Sequence, residues 1–489
     1  MKQMEADLII VAGGPAGLAA AVTAGENNLK TILFEKSNTC GGAANMGMGP
    51  LGINTDVQKK TFNRISFEEA FQKHMEYTHW RVDADLVSTY FKKSSETIKW
   101  LEEMGVKFAG AFRYFEESAA TWHIVMPESG EPGPRCAGTM NKIMQNKAKE
   151  LGVQFEMETS VTDLICEKDE DGYNTVVGVK AKDASGEEIE ARAKAVIVAT
   201  GGFGNNYDMI AEEFDLHLAE DFFPFMIPGI TGDGLKMMWK AGAMKYGANI
   251  EAIFQLPNNL DWFILDTALR QPNLFINQMG ERFMDEGVIG NTTYAGNAIK
   301  EQPGHYAYLI MDRGILNDYR KNGPDLVDLV HPQNAVDICD EQIELAKQQN
   351  YEGFIWADTM EELAEKLDID LDTLKYTIDE YNSFCDNKQD LQFNKNPKFL
   401  HKVTGKGGYL VGKFYLASYG TVGGVKINKY CEVLDDEFYP IPGLYSAGSD
   451  ANTIYGDSYN FTIPGNTMGF AVNTGRMAAE AAADFIKGE

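Results

Sequence analysis

The chain has 489 residues, more than a single hydrophobic core of ~250 to 300 residues usually organises, so we expect two domains. Its 44 lysines and arginines stand against 72 aspartates and glutamates, which gives a net charge of −28. A surface with this much negative charge repels nucleic acids and anionic membranes, and neither is an expected partner.

The N-terminus and the cysteines indicate the cell compartment. The first residues, MKQMEAD, lead into a strand-like segment rather than a leader peptide, and no window approaches ~18 uninterrupted apolar residues. The six cysteines are scattered without a C-x-x-C pair, which argues against an iron–sulfur cluster, a zinc site and a disulfide framework. We therefore expect a cytoplasmic protein without a membrane span or a metal.

The most specific local pattern is at the N-terminus. Leu8–Val11 predicts a buried strand, residues 18–25 an alanine-rich helix, and Thr31–Phe34 a second strand followed by Glu35. The small residues between the first strand and the helix let the backbone approach a pyrophosphate, and an acid ~20 positions later can accept a ribose hydroxyl. The segment predicts dinucleotide binding, with Ala12 in place of the first glycine of G-x-G-x-x-G. The alternative is a plain βαβ unit with a glycine-rich turn.

The next elements are taken in chain order. Residues 38–50 are too rich in glycine for a helix or a central strand and predict a loop that runs close to something flat or bulky. The later predictions are helical segments over 67–104 and 139–151, strands over 153–158, 161–179 and 195–200, hairpin turns at 169–172 and 184–186, and a helix over 235–241 capped by Thr231 or Asp233.

The alternation of strands and helices lapses between about residues 250 and 413, where aromatic residues cluster and a helix is predicted over 371–384. Nucleotide-domain character returns near residue 419 and ends in an alanine-rich helix over 469–487. The simplest organisation is an α/β domain that an insertion interrupts. We predict that residues 1–249 and 417–489 form that domain and that residues 250–416 form the insertion.

Eight separated motifs occur in one order along nearly the whole chain. They are AGGPAGLAAA, the glycine pair 41–42, ATGGFGNN at 199–206, TGDG at 231–234, NQMGERFMDE at 277–286, ADTMEELAEKL at 357–367, TVGGVKIN at 421–428 and IPGLYSAGSDA at 441–451. Together they resemble the flavoprotein subunits of the fumarate reductase and succinate dehydrogenase superfamily, which includes urocanate reductases and 3-ketosteroid dehydrogenases. The resemblance implies FAD, a Rossmann-like FAD-binding domain in two segments, an inserted α+β capping domain, and hydride transfer between flavin N5 and a carbon–carbon bond.

The resemblance also implies which residues bind the cofactor. The pyrophosphate would lie at residues 13–16 and the ribose at Glu35; Asp233 would support the flavin, Asp450 would contact the ribityl chain, and the helix that begins at 466–467 would point at the flavin O2 edge. The alternative for some of these glycines is that the turn conformation requires glycine and that the residue does not contact the cofactor. The implied cofactor-binding residues are Gly13, Gly14, Pro15, Ala16, Glu35, Lys36, Gly41, Gly42, Ala43, Gly47, Gly49, Val161, Thr200, Gly201, Asp233, Gly448, Asp450, Asn466 and Thr467.

The motifs depart from fumarate chemistry where the substrate would bind. Fumarate reductases protonate their substrate with an arginine four residues after the glutamate of G-x-R-F-x-x-E, and Gly290 stands in that place here. Residues 255–257, Gln-Leu-Pro, replace a Q-x-H-P pattern, while Gly420 and Phe461 replace a histidine and an arginine. A dianion without those cations would be poorly compensated, so we do not expect fumarate or succinate as the substrate.

Aromatic and hydroxyl side chains remain near the predicted flavin edge. The candidate catalytic residues are Tyr459, Tyr419, Arg270 and His123. The tyrosines resemble those of 3-ketosteroid dehydrogenases, in which phenols hydrogen-bond a ketone and move a proton. Arg270 matches a relay arginine of the family, and His123 a histidine of the FAD-domain wall. The alternative for each tyrosine is packing, and for His123 and the pair Arg282 and Glu286 the structural interpretation is favoured.

The sequence therefore predicts an FAD-dependent oxidoreductase that acts on a CH–CH group. It would reduce a carbon–carbon double bond conjugated to a carbonyl, or introduce the bond in the reverse direction. The expected partners are an unsaturated carbonyl substrate and a separate electron donor or soluble reductant. Two alternatives stay open: an amino-acid oxidase of the L-aspartate oxidase type, which needs the missing cations, and a flavin electron carrier, which needs no long insertion.

Overall fold

The structure is a computed structural model that describes residues 1–168, 172 and 174–488. The predicted hairpin turn at 169–172 lies outside the described residues except for Gly172. The chain forms two compact units. Unit 1 comprises Met1–Asp215, Met226–Glu251 and the chain from Gly420 onward; unit 2 comprises Leu216–Phe225 and Ala252–Tyr419. Residues 216–225, which the sequence analysis assigned to the first domain, thus belong to unit 2.

The strands are numbered in chain order. They are β1 Lys2–Glu5, β2 Leu8–Val11, β3 Thr31–Phe34, β4 Phe108–Phe112, β5 Trp122–Val125, β6 Gln154–Glu156, β7 Thr159–Lys168, β8 Asn174–Asp183, β9 Glu188–Arg192, β10 Ala195–Val198, β11 Lys245–Gln255, β12 Leu274–Ile276, β13 Tyr306–Asp312, β14 Phe354–Ala357, β15 Tyr409–Val425, β16 Glu432–Leu434 and β17 Pro440–Ser446.

The helices are numbered in the same way. They are α1 Pro15–Glu26, α2 Asp56–Lys60, α3 Phe67–Tyr77, α4 Ala84–Glu103, α5 Ala137–Glu150, α6 Tyr207–Phe214, α7 Asp233–Lys240, α8 Phe263–Leu269, α9 Thr292–Lys300, α10 Arg313–Asn322, α11 Ala335–Ile338, α12 Asp340–Gln349, α13 Met360–Leu367, α14 Leu371–Asn387 and α15 Asn466–Lys487.

A six-stranded sheet of order β16-β17-β10-β2-β3-β6 forms the centre of unit 1. The strands β2, β3 and β10 read LIIV, TILF and AVIV and are buried at every position, as expected of parallel strands covered on both faces. Strand β2 pairs in parallel with β3 on one side and β10 on the other. The strand order therefore runs outward from β2 in both directions, which makes β2 the switch point of the sheet. Ligands of such sheets bind at the carboxyl ends of the strands at this point.

The other sheets are antiparallel or mixed. Strands β1, β9, β8 and β7 form a second sheet, in which the hairpin of β8 and β9 confirms the turn expected at 184–186. Strands β4 and β5 form a small hairpin. A five-stranded sheet has the order β11-β15-β13-β12, and β14 also pairs with β15.

Several element boundaries differ from the sequence expectations. Helix α1 begins at Pro15 rather than residue 18, because proline has no N–H to lose and is suited to the first helical position. The helical region at 67–104 divides into α3 and α4, since His79 and Trp80 adopt φ angles of 51° and 58° that no right-handed helix contains. The predicted side-chain cap of α7 was wrong: its N-cap is Gly232, with φ 79° and no side-chain capping bond.

Candidate active site

The turns that follow β2 and β3 meet at one edge of the central sheet. Val11 pairs with Phe34 in the parallel register, so the residues after both strands start at the same level. The N–H of Gly13 donates to Oε2 of Glu35 at 2.7 Å, and the N–H of Gly41 donates to the carbonyl oxygen of Gly13 at 2.8 Å. The predicted pyrophosphate turn, the ribose acid and the glycine-rich loop are therefore brought together.

The glycines of this edge divide into two kinds. A Cβ on Gly17 would lie 1.9 Å from the carbonyl oxygen of Ala12, and one on Gly49 would lie 1.8 Å from that of His123, so both glycines are required by close backbone contact. A Cβ on Gly14 would meet no heavy atom within 4 Å, and Gly14 has an ordinary φ of −68°. Packing within the protein therefore does not explain why residue 14 is a glycine. The open space beside Gly14, at the N-terminus of α1, fits a bound phosphate group.

The loop at 41–49 has the same mixture. Gly41 is required by its neighbour, because its φ is 111° and a Cβ would lie 2.1 Å from Oδ1 of Asn45. Gly42 and Ala43 are exposed, and a Cβ on Gly42 would come no closer than 3.6 Å to Cα of Gly14, although the left-handed φ of 49° at Gly42 itself favours glycine. For Gly47 a Cβ would lie 2.5 Å from Cε of Met468.

Asp450 joins two distant segments of unit 1. Its buried carboxylate accepts from the N–H of Thr200 at 2.5 Å, of Gly201 at 3.2 Å and of Gly202 at 2.8 Å, and from the hydroxyl of Thr200 at 2.8 Å. Burial raises the pKa of Asp450, and these hydrogen bonds oppose that shift. Gly448 packs close by with φ 73°, where a Cβ would lie 3.1 Å from Cβ of Ala16. The ribityl contact of Asp450 stays a prediction.

Lys36 and Asp233 form an ion pair of 2.6 Å beside the end of β3. The hydroxyl of Thr231 also bonds Asp233, at 3.0 Å, which explains why neither side chain caps α7. Val161 lies on β7, and the N–H of Thr159 on that strand donates to the carbonyl oxygen of Glu35 at 2.9 Å. The structure therefore places Asp233 near the predicted ribose site, and its contact with the flavin stays a prediction.

Helix α15 begins inside unit 1 with polar side chains. Its N-cap, Gly465, has φ 81°, and the buried side chain of Asn466 follows. The hydroxyl of Tyr90 donates to Oδ1 of Asn466 at 2.9 Å, whereas its Nδ2 has no partner among the described residues. A buried amide donor at a helix N-terminus fits an acceptor such as the flavin O2, and the residues of this edge thus fit FAD.

A chain of three hydroxyl and carboxyl groups lies beside the start of α15. The hydroxyl of Tyr459 lies 2.8 Å from Oγ1 of Thr467, and Oγ1 of Thr467 donates to Oε1 of Glu251. The ring of Tyr455 packs against that of Tyr459 with 4.5 Å between the centroids and 51° between the planes, and the hydroxyl of Tyr77 donates to the carbonyl oxygen of Tyr459 at 2.7 Å. No arginine or lysine among the described residues pairs with the side chains of Glu251, Thr467 or Tyr459.

Glu251 is the residue of this site that the sequence analysis missed. It is 7% exposed, and burial raises its pKa to about 7, with the hydroxyls of Thr467 and Tyr459 opposing the shift. The signal in the sequence was a single acid between the apolar residues of β11, in the run Ile250-Glu251-Ala252-Ile253. A buried carboxyl with a pKa near neutrality is a typical proton-transfer group.

The other three predicted catalytic residues have local explanations. Both ring nitrogens of His123 are engaged, Nε2 with Oγ1 of Thr55 at 2.7 Å and Nδ1 with the carbonyl oxygen of Thr121 at 2.9 Å. Burial lowers the pKa of His123 to about 4, so the ring is neutral at physiological pH. These contacts favour a structural role, and a catalytic one stays a prediction.

Arg270 and Tyr419 belong to unit 2, whereas Tyr459 belongs to unit 1. The guanidinium of Arg270 pairs with the fully buried Asp266 at 2.9 Å, donates to the carbonyl oxygen of Phe254 at 2.6 Å and lies over the ring of Phe254. Tyr419 stacks on Phe225 with 5.3 Å between the ring centroids. The roles of Arg270 and Tyr419 in catalysis stay predictions.

Comparison with known proteins agrees with this geometry. The family model described as "FAD binding domain" matches residues 7–466, nearly the whole chain. The chain belongs to the FAD binding domain family. The chain is also similar to a vinyl phenol reductase of Lactiplantibacillus plantarum, to which it is 31% identical over 491 residues, covering 98% of this chain and 96% of that protein.

Two further similarities concern the family's chemistry and fold. A urocanate reductase of Eggerthella lenta is 28% identical over 454 residues, covering 91% of this chain and 70% of that protein. The crystal structure of a 3-ketosteroid delta1-dehydrogenase from Sterolibacterium denitrificans has a TM-score of 0.78 and 19% identity, covering 98% of this chain and 99% of that one. The second similarity establishes the Rossmann-like FAD-binding fold with its inserted domain.

Membership of the FAD binding domain family confirms the expected cofactor and enzyme class. The chain is an FAD-dependent oxidoreductase that acts on CH–CH groups. Among the described residues, no helix is long and apolar enough to cross a bilayer, and no group of three or more His, Cys, Asp or Glu side chains is placed to hold a metal ion.

Proposed function

We propose that the protein is an ene-reductase for a carbon–carbon double bond conjugated to an uncharged activating group, either a ketone or a hydroxyaryl ring. The observation that carries the proposal is the group formed by the buried Tyr459 and Glu251 with the half-buried Thr467, which offers hydroxyls and an acid but no cation. Such a site supplies a proton and polarises a neutral oxygen, whereas a dicarboxylate substrate needs positive partners.

This arrangement indicates the chemical role of each group. FAD, when bound and reduced, supplies the hydride. The phenol of Tyr459 donates the proton to the neighbouring alkene carbon, or a hydrogen bond to the activating oxygen. Tyr419 and Arg270 are the further candidates for that contact. The hydroxyaryl alternative is supported by the 31% identity to the vinyl phenol reductase, and the ketone alternative by the fold shared with the ketosteroid dehydrogenase.

The remaining proposals concern partners and organisation. We propose that residues 250–416 form the substrate capping domain and that electrons arrive from a separate donor or a soluble reductant. The six cysteines are all free thiols, which supports a reducing cytoplasm. The charge of −28 disfavours nucleic-acid partners. An amino-acid oxidase is disfavoured by the missing carboxylate-binding cations, and an electron carrier has no use for a buried proton-transfer group.

The test is an anaerobic reoxidation experiment. The protein is reduced with dithionite, and the return of the flavin absorbance band is followed with 4-vinylphenol, a hydroxycinnamate, cyclic and steroidal enones, urocanate and fumarate. We expect fast reoxidation by an enone or a vinylphenol and none by fumarate. Reoxidation by fumarate alone, or by no compound while another protein accepts the electrons, contradicts the proposal.

Variants assign the proton donor in the same assay. Tyr459→Phe is expected to slow reoxidation by about 10² to 10⁴-fold, the usual contribution of a general acid. Tyr445→Phe is the matched control, because Tyr445 is also buried in unit 1 but lies on β17, and we expect it to react at the wild-type rate. If Tyr459→Phe and Tyr419→Phe both retain full rates, tyrosine-based protonation is wrong.

A further inference from the structure

We propose that Glu251 is the proton source of this active site and that its proton reaches Tyr459 through the hydroxyl of Thr467. The inference rests on the proposed ene-reductase function. It names a proton source for a chain in which Gly290 stands where fumarate reductases have their proton-donating arginine. Glu251 acts through Tyr459 and is therefore a positioning residue for the Tyr459 proton rather than a group that touches the substrate.

The geometry allows two states of the hydroxyl chain. Thr467 has a single hydroxyl hydrogen and lies between the other two groups, 2.8 Å from the Tyr459 oxygen and in hydrogen-bond contact with Oε1 of Glu251. When Glu251 is ionised it accepts from Thr467, whose oxygen accepts from Tyr459, so the phenol hydrogen points inward. When Glu251 is protonated it donates to Thr467, which donates to Tyr459, and the phenol hydrogen is free to point away from the chain.

The proton balance closes within this chain of groups. One alkene carbon would receive the hydride that bound, reduced FAD would supply, and Tyr459 gives a proton to the other carbon. Tyr459 regains a proton from Thr467, and Thr467 regains one from Glu251. The net change is a carbon–carbon double bond reduced to a single bond, with the two electrons that FAD would supply and a proton that leaves Glu251 ionised; solvent then reprotonates the carboxylate.

The surroundings of Glu251 favour its protonated form more than water does. Thr467 faces it from α15 and Tyr455 and Tyr459 from the segment before α15, while on β15 a Cβ added to Gly420 would lie 3.7 Å from Oε2. None of these groups is a cation. His74, whose ring centroid lies 6.1 Å from that of Tyr455, is neutral because burial lowers its pKa to about 4.

The pH dependence of the reaction tests the inference. Since burial raises the pKa of Glu251 to about 7 and the protonated form is the active one, the reoxidation rate of the reduced holoenzyme is expected to fall as the pH rises through about 7. In Glu251→Gln the rate, normalised to bound flavin, is expected to be about 10² lower and to lose this pH step. Glu437→Gln, at an exposed turn, is the control and keeps both rate and step.

A second readout is independent of turnover. The infrared C=O stretch of a protonated carboxylic acid, recorded on the oxidised holoenzyme, is expected to titrate with a midpoint of about 7 in the wild type and in Glu437→Gln. It is expected to be missing in Glu251→Gln. If the band is unchanged in Glu251→Gln, the inference is overturned whatever the rate.

Variants of Thr467 separate the relay from a structural effect. Thr467→Val keeps the shape without the hydroxyl and is expected to behave like Glu251→Gln, whereas Thr467→Ser, which keeps the hydroxyl, is expected to show the pH step that Thr467→Val loses. If Glu251→Gln and Thr467→Val both retain the rate and the pH step while Tyr459→Phe is slow, the relay is wrong and the proposed function stands. If Tyr459→Phe is also fast, the proposed function itself is wrong.

Discussion

At the scale of single residues, the N-terminal turn shows that residue identity does not reveal a residue's role. Gly14 and Gly17 belong to one motif, yet close contact with the backbone of Ala12 requires Gly17, whereas nothing in the protein approaches Gly14. Ala12 adopts a φ of 81°, a conformation that costs a residue with a Cβ roughly 1 kcal/mol, and this explains why glycine is usual at its position.

We predict that Gly14→Ala impairs cofactor binding without impairing folding. An alanine at Gly14 meets open space and a permitted φ, so the cost to stability is expected to be only about 0.5 kcal/mol, from the poorer helix N-cap. The same Cβ occupies the cradle for the pyrophosphate, so the Kd for FAD is expected to rise about tenfold or more. Titration of the apoprotein by flavin fluorescence measures the Kd, and thermal unfolding without FAD measures stability.

Gly17→Ala is the matched comparison, and we expect it to impair folding. Its Cβ would overlap the carbonyl oxygen of Ala12 at 1.9 Å, so the Tm of the apoprotein is expected to fall. Wild-type FAD affinity in Gly14→Ala would show that the open space at Gly14 is not the pyrophosphate site.

At the scale of elements, the loops after β10 and β17 depend on one another. The turn after β10 leaves the N–H groups of Thr200, Gly201 and Gly202 without partners of their own in the sheet, and the carboxylate of Asp450, shortly after β17, accepts all three. Because β10 and β17 are parallel neighbours, their carboxyl ends lie at the same edge, and one side chain reaches across.

We predict that Asp450→Asn destabilises unit 1. An amide has one acceptor oxygen where the carboxylate has two, so at least one buried N–H loses its partner, at a cost of about 1 to 3 kcal/mol. The measurement is the free energy of unfolding in urea. Asp435→Asn is the control, because the N–H groups of Glu437 and Tyr439 both donate to Oδ1 of Asp435 in a partly exposed turn, and asparagine keeps one acceptor oxygen for them. Equal stability losses in the two variants contradict the prediction.

At the scale of the whole molecule, unit 2 contains its own buried ionic cluster. Arg282 bonds Glu286 at 2.7 Å and Asp390 at 3.0 Å, and Lys395 bonds Glu286 at 3.3 Å, with every side chain at most 2% exposed. The two cations and two anions come from segments about 110 residues apart and balance one another. These contacts support the expectation that Arg282 and Glu286 form a structural pair.

We predict that Glu286→Gln lowers stability but not chemistry. The substitution leaves the buried Arg282 and Lys395 with one anion, at an expected cost of about 3 to 5 kcal/mol. Denaturant unfolding measures this cost. Asp386→Asn, which breaks an exposed pair with Lys402, is the control and is expected to cost less than about 1 kcal/mol. A loss of reoxidation rate per folded, flavin-loaded molecule would instead assign Glu286 to the reaction.

The sequence by itself determined the architecture of the FAD-binding edge. Runs such as LIIV and AVIV are apolar at consecutive positions, which only a strand covered on both faces can bury, and the small residues between β2 and α1 permit a turn that bulkier side chains would block. These signals are local, because they depend on neighbours within one element and on the short-range freedom of the backbone. The cofactor, the interrupted domain and the enzyme class followed from them and from the ordered motifs.

Only the tertiary structure decided which polar groups face one another. Thr467 and Glu251 are 216 positions apart and Thr200 and Asp450 are 250 apart, and nothing in either local sequence specifies its partner. Burial raises the pKa of Glu251, and no cation is among the causes that oppose the shift. In the sequence, Glu251 is therefore indistinguishable from an ordinary acid within β11. Charge, solvation and hydrogen bonding are properties of a position in space, and only the path of the chain through the fold sets them.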